Sequence, residues 1–255
     1  MFRYISYLFD TDSYKPSHFL QYPEGTTGMT SYISARSGEY DYVLYFGIQY
    51  ILKEYLSYRV TVKDVKRAKA FYAAHGVPFN YEGWMYIAKD LKGKLPIRIR
   101  SVKEGDIIPV GNILCSVEST DPKVFWVVSW IETMLLRIWY TNTVATRSHV
   151  IKNIIMDALN KSSDDPKSEI DFKLHNFGSR GSACQEAASL SGMAHLTCFK
   201  GTDTVVSLVD AEDYYDCEMA GFSIPASEHS SITSWGKEHE VDAYRHMLKQ
   251  LAKTG

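Results

Sequence analysis

Beyond residue 165 the sequence repeats one pattern three times: an apolar run, a polar cluster, then a helix-forming stretch. Ile170–Phe177 runs into Gly-Ser-Arg-Gly, His195–Phe199 into Lys-Gly-Thr-Asp, and Gly221–Pro225 into Ala-Ser-Glu-His-Ser-Ser. Helices are predicted over Ser182–Met193, near Ala211–Tyr215 and over Thr233–Leu251. A recurrence of about 25 residues suits consecutive β/α units of a parallel sheet or barrel. A closed eight-unit barrel takes about 250 residues, and the roughly 90 that follow Asp165 suffice for about three units. The chain ends at Gly255, just after a helix. The expectation is therefore a small open sheet, or the first units of a barrel whose remainder lies elsewhere.

The residues before the polar linker Ser162–Ser168 have a different texture. The spacing predicts a helix over Phe46–Ser57 and another starting at Thr61 and ended by Gly76 and Pro78. Leu95–Val102, Ile107–Val110 and Asn112–Val117 read as strands, with a turn at Glu104–Asp106. Val124–Trp139 is the most apolar stretch and reads as a buried helix: it is shorter than the roughly 20 residues of a membrane span and carries Glu132 and Arg137. A further helix is predicted over Thr146–Leu159. The fold class is α/β, with an N-terminal α+β domain over 1–165 and a partial β/α barrel over 166–255.

A net charge of −2 implies no broad attraction to nucleic acid or anionic lipid, while leaving room for a local phosphate pocket. Cys115, Cys184, Cys198 and Cys217 form no CxxC pair or metal-ligand spacing, as for reduced thiols in the cytoplasm. The N-terminus lacks the apolar run of a secretory leader.

In a β/α barrel the loops after the strands build the site. Here they carry Phe177 and Arg180, then Asp203, then His229. A flat aromatic ligand can lie on Phe177, an anion can pair with the planar fork of Arg180, and Asp203 can accept from an amide. Bland roles stand beside these: core packing for Phe177, a surface ion pair for Arg180, a helix N-cap for Asp203, a structural imidazole for His229. His229 also precedes a predicted helix N-terminus, which favours phosphate. Glu228 is given no role, since its side chain need not reach the ring.

The ordered motifs resemble the nicotinamide phosphoribosyltransferase family. They are Asp12-Ser-Tyr-Lys15 with His18 and Gln21-Tyr-Pro23, Ile131-Glu-Thr133, Trp139-Tyr140, Thr143-Val-Ala-Thr146, His175-Asn-Phe-Gly-Ser-Arg-Gly181, Phe199-Lys-Gly-Thr-Asp-Thr204, and Ser223-Ile-Pro-Ala-Ser-Glu-His-Ser230 running to Trp235-Gly-Lys237. The resemblance implies an N-terminal α/β domain, a type II phosphoribosyltransferase barrel and a head-to-tail homodimer with its site at the interface. Phe177 and the neighbouring subunit's Tyr14 would sandwich nicotinamide, Asp203 would accept its amide, and Ser223 would line the ring pocket. Arg180 and His229 would meet the diphosphate of 5-phosphoribosyl 1-diphosphate, with Asp12 and Arg36 at the same interface. Mg²⁺ would assist, and ATP hydrolysis would be coupled through phosphorylation of His229. The family has Asp and Tyr where this chain has Asn176 and Ser179, and its later barrel loops, which hold ribose and 5′-phosphate, have no counterpart before Gly255. A complementary C-terminal half is accordingly expected as partner. Two other readings remain: a nicotinate phosphoribosyltransferase, against which the Asp203 carboxylate argues by like-charge repulsion, and a non-catalytic binding or regulatory fragment.

Overall fold

A computed structural model describes residues 6–252. The reading of the N-terminus as leaderless falls partly on residues 1–5, which lie outside the described residues, as do 253–255. The first half of the chain alternates short elements: β1 (Thr30–Ser34), β2 (Tyr42–Leu44), α1 (Ile48–Ile51), α2 (Val62–His75), α3 (Tyr81–Lys89), β3 (Ile97–Ser101), β4 (Ile107–Pro109) and β5 (Ile113–Ser119). β5 lies between β1 and β3 in an antiparallel sheet, and β2 pairs with β4. Arg98 and Arg100 of β3 both reach Glu118 of β5, at 2.7 and 2.9 Å. The predicted helix over 46–57 is observed as α1 followed by a π-helical turn, Leu52–Leu56. α2 starts and stops where its end residues dictate: Thr61 and Asp64 form a reciprocal capping box, and Gly76 closes the helix at φ +85°.

The apolar run 124–139 is not one helix. It is divided among a 3₁₀ turn (Pro122–Val124), α4 (Val127–Trp130), α5 (Glu132–Leu136) and the start of α6 (Ile138–Ser162). No Gly or Pro within the run marks the breaks, so periodicity alone does not reveal them. Trp84, Trp126 and Trp130 meet edge to face at 5.0–6.2 Å and fill the centre of the core. α6 is longer than predicted because its polar residues are spent on the neighbouring backbone. Asn142 accepts from the Phe46 amide at 2.8 Å, and Thr146 from the Leu44 amide at 2.9 Å.

After α7 (Pro166–Glu169) come β6 (His175–Asn176), α8 (Gln185–Leu196), β7 (Gly201–Thr202), α9 (Val205–Tyr215), α10 (His229–Thr233) and α11 (Glu240–Leu251). β6 and β7 are parallel, and Phe222 adds a parallel bridge to Gly201. The β/α order is as expected, but the strands are shorter. Ile170–Phe172 is a 3₁₀ turn, tied down by Asp171, whose carbonyl accepts the Lys200 amide at 2.7 Å. His195–Phe199 is the end of α8 and a loop rather than a strand. His195 is buried, with Nε2 3.0 Å from the Gly201 carbonyl. A short apolar run does not distinguish a strand from a buried helix end. The helix predicted over 233–251 starts only at Glu240, because Gly236 breaks the chain at φ +78°. One apolar core joins Trp84 and Trp130 to Ile170, Met193, Phe199 and Ala211. No helix among the described residues is long and apolar enough to cross a membrane.

Candidate active site

Parallel pairing brings the three loops to one edge. In the first, Asn176 Oδ1 accepts the Gly178 amide at 2.7 Å and the Thr204 hydroxyl at 3.3 Å. This folds the chain into the short turn Ser179–Gly181 and fastens it to the second loop. Phe177 is left 68% exposed, backed by the His175 ring at 4.5 Å and a 31° tilt. It is not a core residue. Arg180 is exposed and makes no hydrogen bond or ion pair among the described residues.

The second loop is held by the Asp203 amide, which donates to the Asn176 carbonyl at 2.9 Å. Asp203 is not an N-cap; that position is Thr204. Its Oδ1 instead accepts from Ser223 Oγ at 2.5 Å and from His175 Nε2 at 2.6 Å. The Ser223 hydroxyl and then the imidazole hold this carboxyl below the usual carboxylate range. Oδ2 takes no protein hydrogen bond among the described residues. One carboxylate thus links all three loops and keeps an acceptor for a ligand.

In the third loop His229 is 89% exposed, so it is not a buried structural histidine. Glu228, given no role from sequence, does reach the ring: its Oε1 lies 2.6 Å from His229 Nδ1. The other oxygen caps α10 by accepting the Ser230 amide at 2.8 Å. The Ser230 hydroxyl and amide lower the Glu228 carboxyl, and nearby Arg180 adds to the effect. A carboxylate on Nδ1 puts the proton there and leaves Nε2 as the free lone pair.

The N-terminal candidates sit elsewhere. Asp12 accepts from the Thr133 hydroxyl. Tyr14 is 57% exposed, with its ring edge-on to His18 at 4.7 Å. Tyr14 lines a hollow of about 570 Å³ together with Lys15, His18, Ser129 and Glu132. Lys15 is buried there against Glu132. Arg36 is exposed in the loop after β1. Among the described residues none of these three bonds to Phe177, Asp203, Ser223 or His229 within one chain. Sequence reasoning missed His175 and Asn176 as the supports of the site. The clue was spacing: on an extended segment His175 and Phe177 share a face at i, i+2.

The family model described as "Nicotinamide phosphoribosyltransferase, N-terminal domain" matches residues 6–99, and that of the nicotinate phosphoribosyltransferase family matches residues 172–254. A nicotinamide phosphoribosyltransferase of Xanthomonas campestris pv. campestris is 54% identical over 97% of this chain and 53% of its own length. One from Acinetobacter baylyi is 28% identical over 96% of this chain and 52% of its own length. The chain thus spans about half the length of the curated relatives it matches. A crystal structure of human nicotinic acid phosphoribosyltransferase superposes with a TM-score of 0.58 at 18% identity, over 88% of this chain and 40% of that one, a likeness of fold.

Proposed function

The chain belongs to the nicotinamide phosphoribosyltransferase family, matching its N-terminal portion, and from that premise we propose that it supplies the nicotinamide-holding half of a site making nicotinamide mononucleotide for NAD salvage. The reaction joins nicotinamide to 5-phosphoribosyl 1-diphosphate and releases diphosphate. The observation that carries the reading is Asp203: an ionised carboxylate with one free oxygen beside an exposed aromatic ring. Nicotinamide stacks its flat ring on Phe177 and donates its amide NH₂ to Asp203. Nicotinate would set its own carboxylate against that charge.

Arg180 and His229 face the diphosphate, which leaves as positive charge develops at C1 of the ribose. The fixed charge of Arg180 and a hydrogen bond from the imidazole favour that step by positioning and charge. Mg²⁺ would accompany the donor's diphosphate and help neutralise the leaving group. Nε2 of His229, exposed and held by Glu228, suits a nucleophile toward the γ-phosphate of ATP. Tyr14, Asp12 and Arg36 reach the site from a second copy in a head-to-tail dimer. The residues holding ribose and 5′-phosphate belong to the length the relatives have beyond the matched region. The cysteines are free thiols, in keeping with a cytoplasmic enzyme.

The test is competition between the two bases on the full-length protein. A hydrogen bond to a charged group contributes about 1.5–3 kcal/mol, so Asp203→Asn should cut the preference for nicotinamide by about tenfold or more. An unchanged ratio would remove Asp203 from base recognition.

A further inference from the structure

We propose that His175 determines base preference as a positioning residue, fixing the Asp203 carboxylate through Nε2 while its ring backs Phe177; this rests on the reading of Asp203 given above. Three observations converge on the imidazole. Its Nε2 lies 2.6 Å from Asp203 Oδ1. Its ring centroid is 4.5 Å from that of Phe177. Its seat is made by the register partner Gly201, where a Cβ would lie 2.7 Å from His175 Nδ1.

A single side chain therefore touches both groups assigned to the base. The acceptor for an amide and the surface for a ring must keep a fixed relation if one flat molecule is to use both. A residue in contact with both fixes that relation. Ser223 holds the carboxylate, and its hydroxyl makes no hydrogen bond to Phe177 among the described residues. Asp203 keeps its charge, and the charge disfavours a base that carries a carboxylate. The glycine at 201 follows from the same demand, since any larger residue would push the ring off both partners.

Three variants of the full-length protein in its native assembly test this: His175→Ala, His175→Gln and Gly201→Ala. In His175→Ala the KM for nicotinamide should rise about tenfold while kcat stays within about threefold, and discrimination against nicotinate should fall in parallel. His175→Gln, which keeps an N–H donor, should recover most of the discrimination. Gly201→Ala should resemble His175→Ala. Wild-type discrimination in His175→Ala, or no rescue by glutamine, would overturn the role. A second readout needs no turnover and no variant: ¹⁵N NMR of the imidazole in the wild-type protein should show a proton on Nε2, and an Nε2 without a proton would overturn the link to Asp203. If the wild type does not prefer nicotinamide, the reading of Asp203 fails and the inference falls with it, whereas the NMR result judges the His175–Asp203 contact separately.

Discussion

Two donors crowd Oδ1 of Asp203 and, among the described residues, none reaches Oδ2, so the residue is both charged and available at neutral pH. A carboxyl whose pKa is lowered on folding adds stability above its unfolded value, about 3.9, and loses it as pH falls through the lower folded value. Ser223→Ala removes the larger cause of the lowering. The Asp203 pKa should then move up toward the ordinary value and its acid edge should shift to higher pH. A ¹³C carboxyl titration reads this directly, and an unmoved pKa would contradict the Ser223 bond. At His229 Glu228 occupies Nδ1 and leaves Nε2 open, an arrangement compatible with phosphorylation and with anion contact alike. Incubation of the complete assembly with ATP, followed by rapid quench, should show acid-labile phosphate on His229. ATP turnover without that phosphate would leave the residue a diphosphate ligand only.

At the scale of elements, α8 and α9 carry the loops, and they pack closely at Gly192. A Cβ there would lie 2.5 Å from Ser207 Cβ. Gly192→Ala should cost about 1–3 kcal/mol by overpacking, against about 1 kcal/mol for loss of the α2 cap in Thr61→Ala. Denaturant melts of both variants give the comparison, and no loss of stability in Gly192→Ala would deny the tight α8–α9 contact. The ends of α2 were legible because capping is a local property of Thr61, Asp64 and Gly76. The site loops were legible because polar residues gather where strands end. β1, β2 and α3 were not expected. β2 has three residues and is held by pairing with β4 and by Thr146 of α6, none of which is local. The misread segment 195–199 fails for the same reason: whether a short apolar run joins a helix or a sheet is decided by what it packs against. Glu228 was overlooked because contact between neighbours in sequence depends on rotamers, which pattern does not show.

For the molecule as a whole, one apolar core runs from Trp84 and Trp130 to Met193 and Phe199, and apolar side chains remain uncovered at the end that carries the site loops. Val205, Phe222 and Ile224 are 66%, 51% and 76% exposed. Exposed apolar surface of this kind marks a place where further protein packs. The site residues divide in a comparable way: Phe177 and Asp203 share His175 as a partner, while Tyr14, Asp12 and Arg36 make no bond to either among the described residues. Catalysis is therefore predicted for the assembled, full-length protein. The most direct test is formation of nicotinamide mononucleotide from nicotinamide and 5-phosphoribosyl 1-diphosphate, with nicotinate as the competing base. The account predicts product from nicotinamide in strong preference to nicotinate; no product from the complete assembly, or a preference for nicotinate, would contradict it.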